Sequence, residues 1–426
     1  MYKLTGYSTG KKNTAKGRLY MASAYLLLAW LCFTATGANA QTGLNFRTVE
    51  DSSYALYLKH DWKQLQKFGQ QAIRQHIDYF YLRQRIGIAY YEQKKYQAAL
   101  PQFLKAGSFN SADELLQEYI FYSLAFDGRY DEALRFSKRF GKDLQAKTNT
   151  KKPAPINYVT ADFTVKVPQD PTVAYAFYNI GVGFNHRITK GYSAFHAYSY
   201  SWQKYTGGLY SQHRYYLALN IPLKKGFALQ PAFSLLADQY SDTTLVYPRP
   251  PNPPGPPKRQ ISRQTYFSFI GSLNVSKILP YVRIDLGNAF SNLDTNYQIQ
   301  HSLGLTVYPL GNQKLALSGN VIIHTRNFYK SVHPLVQGGL RFNAPQFFAL
   351  SIVYTYANVY NFHIYNGYLV QNGYDLLKGN LLVAPEFIIK RRYSIYAAYQ
   401  FETKTARETG LNYFTHGISI GTKLKF

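Results

Sequence analysis

Hydrophobic and polar positions change rhythm once along this chain, from a helical period to strict alternation. The alternation is plainest at the C-terminal end. His416, Ile418, Ile420, Thr422, Leu424 and Phe426 fall on one side, and Thr415, Gly417, Ser419, Gly421, Lys423 and Lys425 on the other. A period of two predicts a strand. Upstream, Tyr178, Ile180, Val182 and Phe184 alternate with Asn179, Gly181, Gly183 and Asn185. Tyr215, Leu217, Leu219 and Ile221 alternate with Arg214, Tyr216, Ala218 and Asn220, and Ile299, Leu303, Leu305 and Val307 with Gln300, Ser302, Gly304 and Thr306. Each strand has one oily face and one small or polar face. A soluble sandwich would carry more Lys and Glu outward. In a transmembrane barrel lipid covers the oily face and the polar face lines the lumen. An antiparallel transmembrane β-barrel is therefore expected over residues 158–426.

The connections support this by parity. Counting back from Phe426, long and short links alternate, as outer loops and inner turns of such barrels do. The long ones fall near residues 402–412, 361–378, 325–333, 291–296 and 240–262, and the short ones near 390–392, 343–346, 309–313, 278–280, 223–226 and 189–191. Shorter outer loops at 205–208 and 167–174 require a first strand at 158–166, giving 14 strands in all.

Before residue 146 the period is helical and a repeat appears. Trp62, Tyr96 and Tyr130 are spaced by 34 residues, and each follows a turn-like tripeptide. The middle copy carries Ile86, Gly87, Tyr90, Tyr96, Ala99, Phe103 and Ala106, and Ala133 recurs 34 residues after Ala99. Gly and Ala let paired helices approach while aromatics fill the space between pairs. About three helical hairpins, a short α-solenoid, are predicted over residues 41–148. A polar, Pro-containing linker at 149–157 then separates them from the barrel.

Composition sharpens this picture. The chain has 426 residues with 17% aromatics (41 Tyr, 28 Phe, 3 Trp) and 16% charged residues. Tyr in such excess suits an oil–water boundary, where the ring is buried and the hydroxyl stays wet. Residues 1–40 read as a secretory signal peptide: five cations from Lys3 to Arg18, a short apolar run, then Ala38-Asn39-Ala40. The only cysteine, Cys32, lies inside it, so no disulfide, thiolate catalysis or zinc–cysteine site is expected beyond. The net charge of +26 divides into +5 for the leader, +4 for residues 41–150 (16 basic, 12 acidic) and +17 for the remainder (27 basic, 10 acidic). With the surplus on the barrel, anionic lipid and polysaccharide are the expected counterparts, not nucleic acid.

Three sets of residues are candidates for chemistry. Basic residues gather at the predicted inner ends of strands: Arg187, Lys190, Lys224, Lys225, Lys277 and Lys314, with Lys390, Arg391, Arg392, Lys423 and Lys425. They suit contact with phosphate headgroups, or an entry ring that draws in an anionic solute. The predicted lumen charges are Arg214, Asp238, Arg283 and Asp285, with Arg326, Arg341, Glu386 and Glu402. Opposite charges in a narrow lumen pair across it or form a selective constriction. A lipid-modifying enzyme would draw on His324, His363, His416 or His301 with Ser302, none of them in a nucleophile motif. No phosphate loop, nucleotide motif or metal spacing is present, so no cofactor is expected. The run PRPPNPPGPPKR at 248–259 reads as an exposed polyproline loop, or as a docking segment.

Two resemblances follow from these residues. The alternating end closed by Phe426 resembles the terminal strand of bacterial outer-membrane barrels, which is read by the insertion machinery. The residues of the middle copy resemble the packing positions of tetratricopeptide repeats. In layout the chain is similar to repeat-plus-barrel outer-membrane proteins, including polysaccharide exporters and YaiO-like proteins. That resemblance implies an outer-membrane location, a periplasmic helical domain recruiting a protein partner, and export of an anionic solute or polymer. A closed barrel serving as anchor for an envelope assembly is the alternative.

Overall fold

The computed structural model describes residues 44–246, 258–327, 329–344 and 347–426. The expected leader and nearly all of the Pro-rich run lie outside them.

Seven helices come first: α1 (Phe46–Leu58), α2 (Trp62–Arg74), α3 (Phe80–Glu92), α4 (Tyr96–Phe109), α5 (Glu114–Phe126), α6 (Tyr130–Phe136) and α7 (Lys142–Lys147). The 34-residue spacing reappears as structure, since Trp62, Tyr96 and Tyr130 are the first residues of α2, α4 and α6. Asn45, Asp61 and Asp113 cap α1, α2 and α5 by accepting a backbone N–H from the first turn. Small residues set the packing distance. A Cβ on Gly87 would lie 2.4 Å from the ring of Phe103, and one on Gly69 would lie 2.5 Å from Ile86. Phe103, Ala99, Ala106, Ile86 and Ala133 are fully buried, while Tyr90 packs against the core from its edge.

Fourteen strands form a closed barrel. They are β1 (Ile156–Pro168), β2 (Phe177–Thr189), β3 (Tyr192–Tyr205), β4 (Gly208–Pro222), β5 (Phe227–Val246), β6 (Lys258–Leu279), β7 (Val282–Ser291), β8 (Gln298–Val307), β9 (Leu315–Arg326), β10 (Ser331–Ala344), β11 (Phe348–Val359), β14 (Leu376–Ile389), β15 (Tyr393–Thr405) and β16 (Asn412–Lys425), with β12 (Phe362–Ile364) and β13 (Leu369–Gln371) apart from the wall. Each barrel strand pairs antiparallel with its neighbour, and β1 closes on β16 with Tyr158 opposite Lys425 and Pro168 opposite Thr415. Closure leaves no strand edge unpaired.

The outward face is apolar. Ile180, Val182, Leu303, Ile418 and Ile420 are each about half exposed, with no part of the chain covering them. Lipid is the solvent such a face requires, so the barrel is transmembrane. Three outward histidines meet a Tyr hydroxyl on the adjacent strand: His196 with Tyr215 (2.6 Å), His213 with Tyr198 (2.7 Å) and His416 with Tyr399 (2.7 Å). No helix among the described residues is long and apolar enough to cross a membrane. With 20 and 22 residues against the ~10 a tilted strand needs to span, β5 and β6 project beyond the bilayer. The wall thus continues to Val246 and from Lys258, where a loop was expected over 240–262.

Candidate functional site: the barrel lumen

The stretch between β11 and β14 is the main departure from expectation. Its length suggested an outer loop, but residues 360–375 turn back into the lumen. There β12 and β13 pair with each other, Phe362 opposite Gln371 and Ile364 opposite Leu369. The turn is tight, with Tyr365, Asn366 and Gly367 all left-handed (φ 52, 56 and 82°). An inward loop must satisfy its backbone without bulk water, and the wall supplies the partners. Arg214 donates to the Tyr368 carbonyl (2.7 Å), Ser234 to that of Gly367 (3.1 Å) and Ser272 to that of Asn366 (3.0 Å). Gln300 donates to the carbonyl of His363 and accepts from its N–H, at 2.9 and 3.2 Å. Phe362 and Ile364 sit in an apolar cluster with Ile322, Leu335, Val359 and Leu377.

The hairpin divides the lumen. On the side of the short turns lies a cavity of about 1240 Å³. Amides and hydroxyls such as Asn185, Asn220, Gln230, Asn274, Ser302 and Asn320 share its wall with apolar side chains such as Phe195, Leu305 and Ile322. Beyond the hairpin is a vestibule of about 200 Å³ that includes Lys166, Lys404, Tyr210 and Gln371. The helical domain floors the larger cavity, to which Arg129, Tyr130, Asp131 and Glu132 contribute. It does not hang free of the barrel. Asp131 accepts from Ser193 (2.6 Å) and Asn220 (2.7 Å) on the wall, and Arg135 donates to the Pro222 carbonyl. From the α3–α4 turn, Lys94 accepts from Asn312 (2.9 Å), and Gln97 accepts from the N–H of Tyr281 (3.1 Å). Gln313 donates to the Asp127 carbonyl (2.6 Å). The Asp127 carboxyl is held by Gln97 (2.8 Å), and burial pushes its pKa up to about 6 despite the nearby Arg129.

The predicted lumen charges pair along the wall or to the hairpin, not across open space. Arg283 binds Asp285 two residues away (2.7 Å), and Arg341 reaches Glu386 past one strand (3.8 Å). Glu402 is fully buried between Lys166 (2.6 Å) and Lys404 (2.8 Å). Asp238 accepts from Tyr210, from Gln212 and from Asn372 of the inward loop. Arg214 is spent on Tyr368, and Arg326 is the last residue of β9. Pairing across the lumen was the expectation; the hairpin occupies that space. Glu386 and Glu402 have separate partners and form no carboxylate pair.

The basic residues of the short-turn end divide in two. Several hold the chain itself: Arg187 donates to the Ala154 carbonyl and to Asn157, Lys277 to the Lys225 carbonyl (2.5 Å), and Arg392 to that of Lys425 (3.4 Å). Lys423 lies over the ring of Tyr158 (4.2 Å) and lines the cavity with Lys425. Lys190, Lys224, Lys314, Lys390 and Arg391 stand in or beside the turns. Of the candidate catalytic histidines, His324 and His363 come together at Gln300, with no serine or carboxylate among the described residues bonded to either, and the other two lie apart. His301 faces outward to Tyr329 (2.7 Å), while Ser302 faces the cavity from the opposite side of the wall. His416 is on the lipid face, and His324 and His363 are buried where the hairpin meets the wall. No group of three side chains that could hold a metal occurs among the described residues.

The residues that seat the hairpin and the helical domain, among them Gln97, Asp131, Ser272 and Gln300, were not singled out by sequence reasoning. The turns before Tyr96 and Tyr130, which the 34-residue recurrence marks as hairpin turns, supply Lys94 and Asp127 to that seat.

Fold and lumen together define a transmembrane β-barrel with an inward hairpin and a helical domain at its short-turn end. No protein-family model and no curated protein sequence matches the chain. Among solved structures it is similar to the toluene transporter TbuX of Ralstonia pickettii (TM-score 0.45, 9% identity, 64% of this chain and 90% of that one). It is also similar to the outer membrane protein Omp33 of Acinetobacter baumannii (0.36, 8%, 64% and 100%) and to the KdgM porin (0.30, 9%, 63% and 99%).

Proposed function

We propose that this protein is an outer-membrane channel for an anionic solute or polymer, with its helical domain in the periplasm. The observation that carries the reading is the cavity of about 1240 Å³, hydrated through its many amides, hydroxyls and charges, inside a lipid-facing barrel. A barrel serving only as an anchor has no need of a chamber lined by amides and hydroxyls. The sign of the solute follows from the lining. Five side-chain cations (Arg129, Arg187, Arg283, Lys423, Lys425) face three side-chain carboxylates (Asp131, Glu132, Asp285) and the terminal residue Phe426, and two of those carboxylates are paired within the set, Asp285 with Arg283 and Glu132 with Arg129. The surplus is positive and favours anions in a confined, low-dielectric space. The leader-like pattern of residues 1–40 and the parity of the connections both support a periplasmic helical domain. The resemblance of its three helical hairpins to tetratricopeptide repeats supports recruitment of a periplasmic protein partner.

Single-channel conductance of the full chain in planar bilayers tests the reading. Flow should be small in the native chain and rise several-fold when residues 362–373 are replaced by a three-residue turn. The open variant should prefer chloride over potassium, and Lys423→Gln with Lys425→Gln should reduce that preference. A folded, heat-modifiable barrel that never conducts, even without the hairpin, would make it a closed anchor for an envelope assembly.

A further inference from the structure

The channel reading leaves the inner end of the cavity unexplained, because the helical domain is seated over it. Three features of that seat bear on its role. The contacts are polar: Asp131 on Ser193 and Asn220, Arg135 on Pro222, Gln97 on Tyr281, Gln313 on Asp127. The apolar clusters stop at the boundary, two lying wholly in the helices and three wholly in the barrel. The connection between the two bodies is anchored at both ends. Thr148 and Thr150 bond to each other below α7 (3.0 Å), and Arg187 holds Ala154 and Asn157 at the start of β1. Residues 151–153 lie between. Bodies joined by a short linker across a polar interface move relative to one another unless apolar burial prevents it. Water can replace each hydrogen bond as it opens.

We propose that the helical domain is a lid on the inner mouth of the barrel. It swings about residues 151–153 and is latched by Asp131 at one corner and by Gln97 with Asp127 at the other. With the hairpin it makes a chamber gated at both ends, and the solute passes through the seam between α6 and the turns of the wall. Tyr130 shows how the third repeat differs from the others. The first residues of α2 and α4 pack on helices, Trp62 on Tyr57 and Tyr96 on Phe126, whereas Tyr130 lies under the Arg187 guanidinium (5.8 Å). The position that would bind a further repeat meets the barrel instead.

The proposal rests on the channel reading, so the test is run in the hairpin-shortened parent, which separates the two. A Cβ on Gly311 stands 3.3 Å from the Cβ of Lys95, close to disulfide spacing, and 2.8 Å from the Tyr281 ring at a φ of 66°, so the ring must shift to admit it. The double variant Lys95→Cys with Gly311→Cys, in a Cys32→Ser background, therefore ties lid to wall on oxidation. Oxidised full-length protein should conduct at least five-fold less than the same protein reduced, with the cross-link confirmed by gel mobility. Asp131→Ala should raise open probability at least three-fold without any cross-link. Equal conductance in both redox states, with the cross-link complete, overturns the lid and leaves the channel standing. Should the double variant not fold, an unchanged open probability in Asp131→Ala overturns the lid by itself. If the parent itself never conducts, the channel reading fails, and the lid with it.

Discussion

At the residue scale, Gly87 and Asp127 mark the reach of sequence reasoning. Gly87 was legible because its partner Phe103 lies sixteen positions away on the paired helix, where helical period and repeat spacing bring both to one face. With 2.4 Å between a Cβ there and the ring, Gly87→Ala should cost about 1–3 kcal/mol by overpacking, read as a lower urea midpoint for the helical signal. Asp127 was visible only as part of a turn. Its burial depends on Gln97 and on Gln313 of the barrel, which no local pattern relates. The sign of its effect follows from a pKa raised from 3.8 to about 6. The folded, docked state binds the proton more tightly than the unfolded one. That contribution is full below pH ~4 and is lost as pH rises through ~6. Protection of the helical domain from protease should fall between pH 5 and 7. Asp127→Asn, which keeps an acceptor for Gln97, should abolish that fall; an unaltered pH profile would place the titrating group elsewhere.

At the scale of elements, the inward hairpin shows why a loop's length can be read when its direction cannot. Every strand reports its own faces by alternation, whereas a loop goes wherever its backbone finds partners. Those for residues 360–375 come from β4, β5, β6 and β8, contributed by Arg214, Ser234, Ser272 and Gln300. Phe362, only 1% exposed, anchors the hairpin among apolar side chains. Phe362→Ala should weaken the seat by about 3–5 kcal/mol and appear as frequent openings in bilayer recordings. Native-like conductance in that variant would show that the hairpin does not limit flow.

At the scale of the molecule, the lipid face and the lumen face impose opposite demands on one strand. Ile420 is 57% exposed toward lipid, while its neighbour Ser419 turns inward to Thr164 at 2.7 Å. Ile420→Arg should cost about 2–4 kcal/mol if it lies near the midplane, lowering the denaturant midpoint in lipid vesicles. A cost near zero would put Ile420 at an interface.

What the sequence by itself determined here is periodic: the strands, their parity, their number, and the helical hairpins with their packing residues. Period is a local property, and each face declares its solvent within a few residues. The tertiary structure alone decided that the 360–375 loop fills the lumen, that the lumen charges pair along the wall, and that the helical domain is seated on the barrel. Apart from the local pair Arg283 with Asp285, these rest on contacts between residues tens to hundreds of positions apart, such as Asp131 with Asn220 and Lys166 with Glu402. One hydrogen bond of that kind leaves no rhythm in the chain, and only closure of the barrel brings its partners within reach.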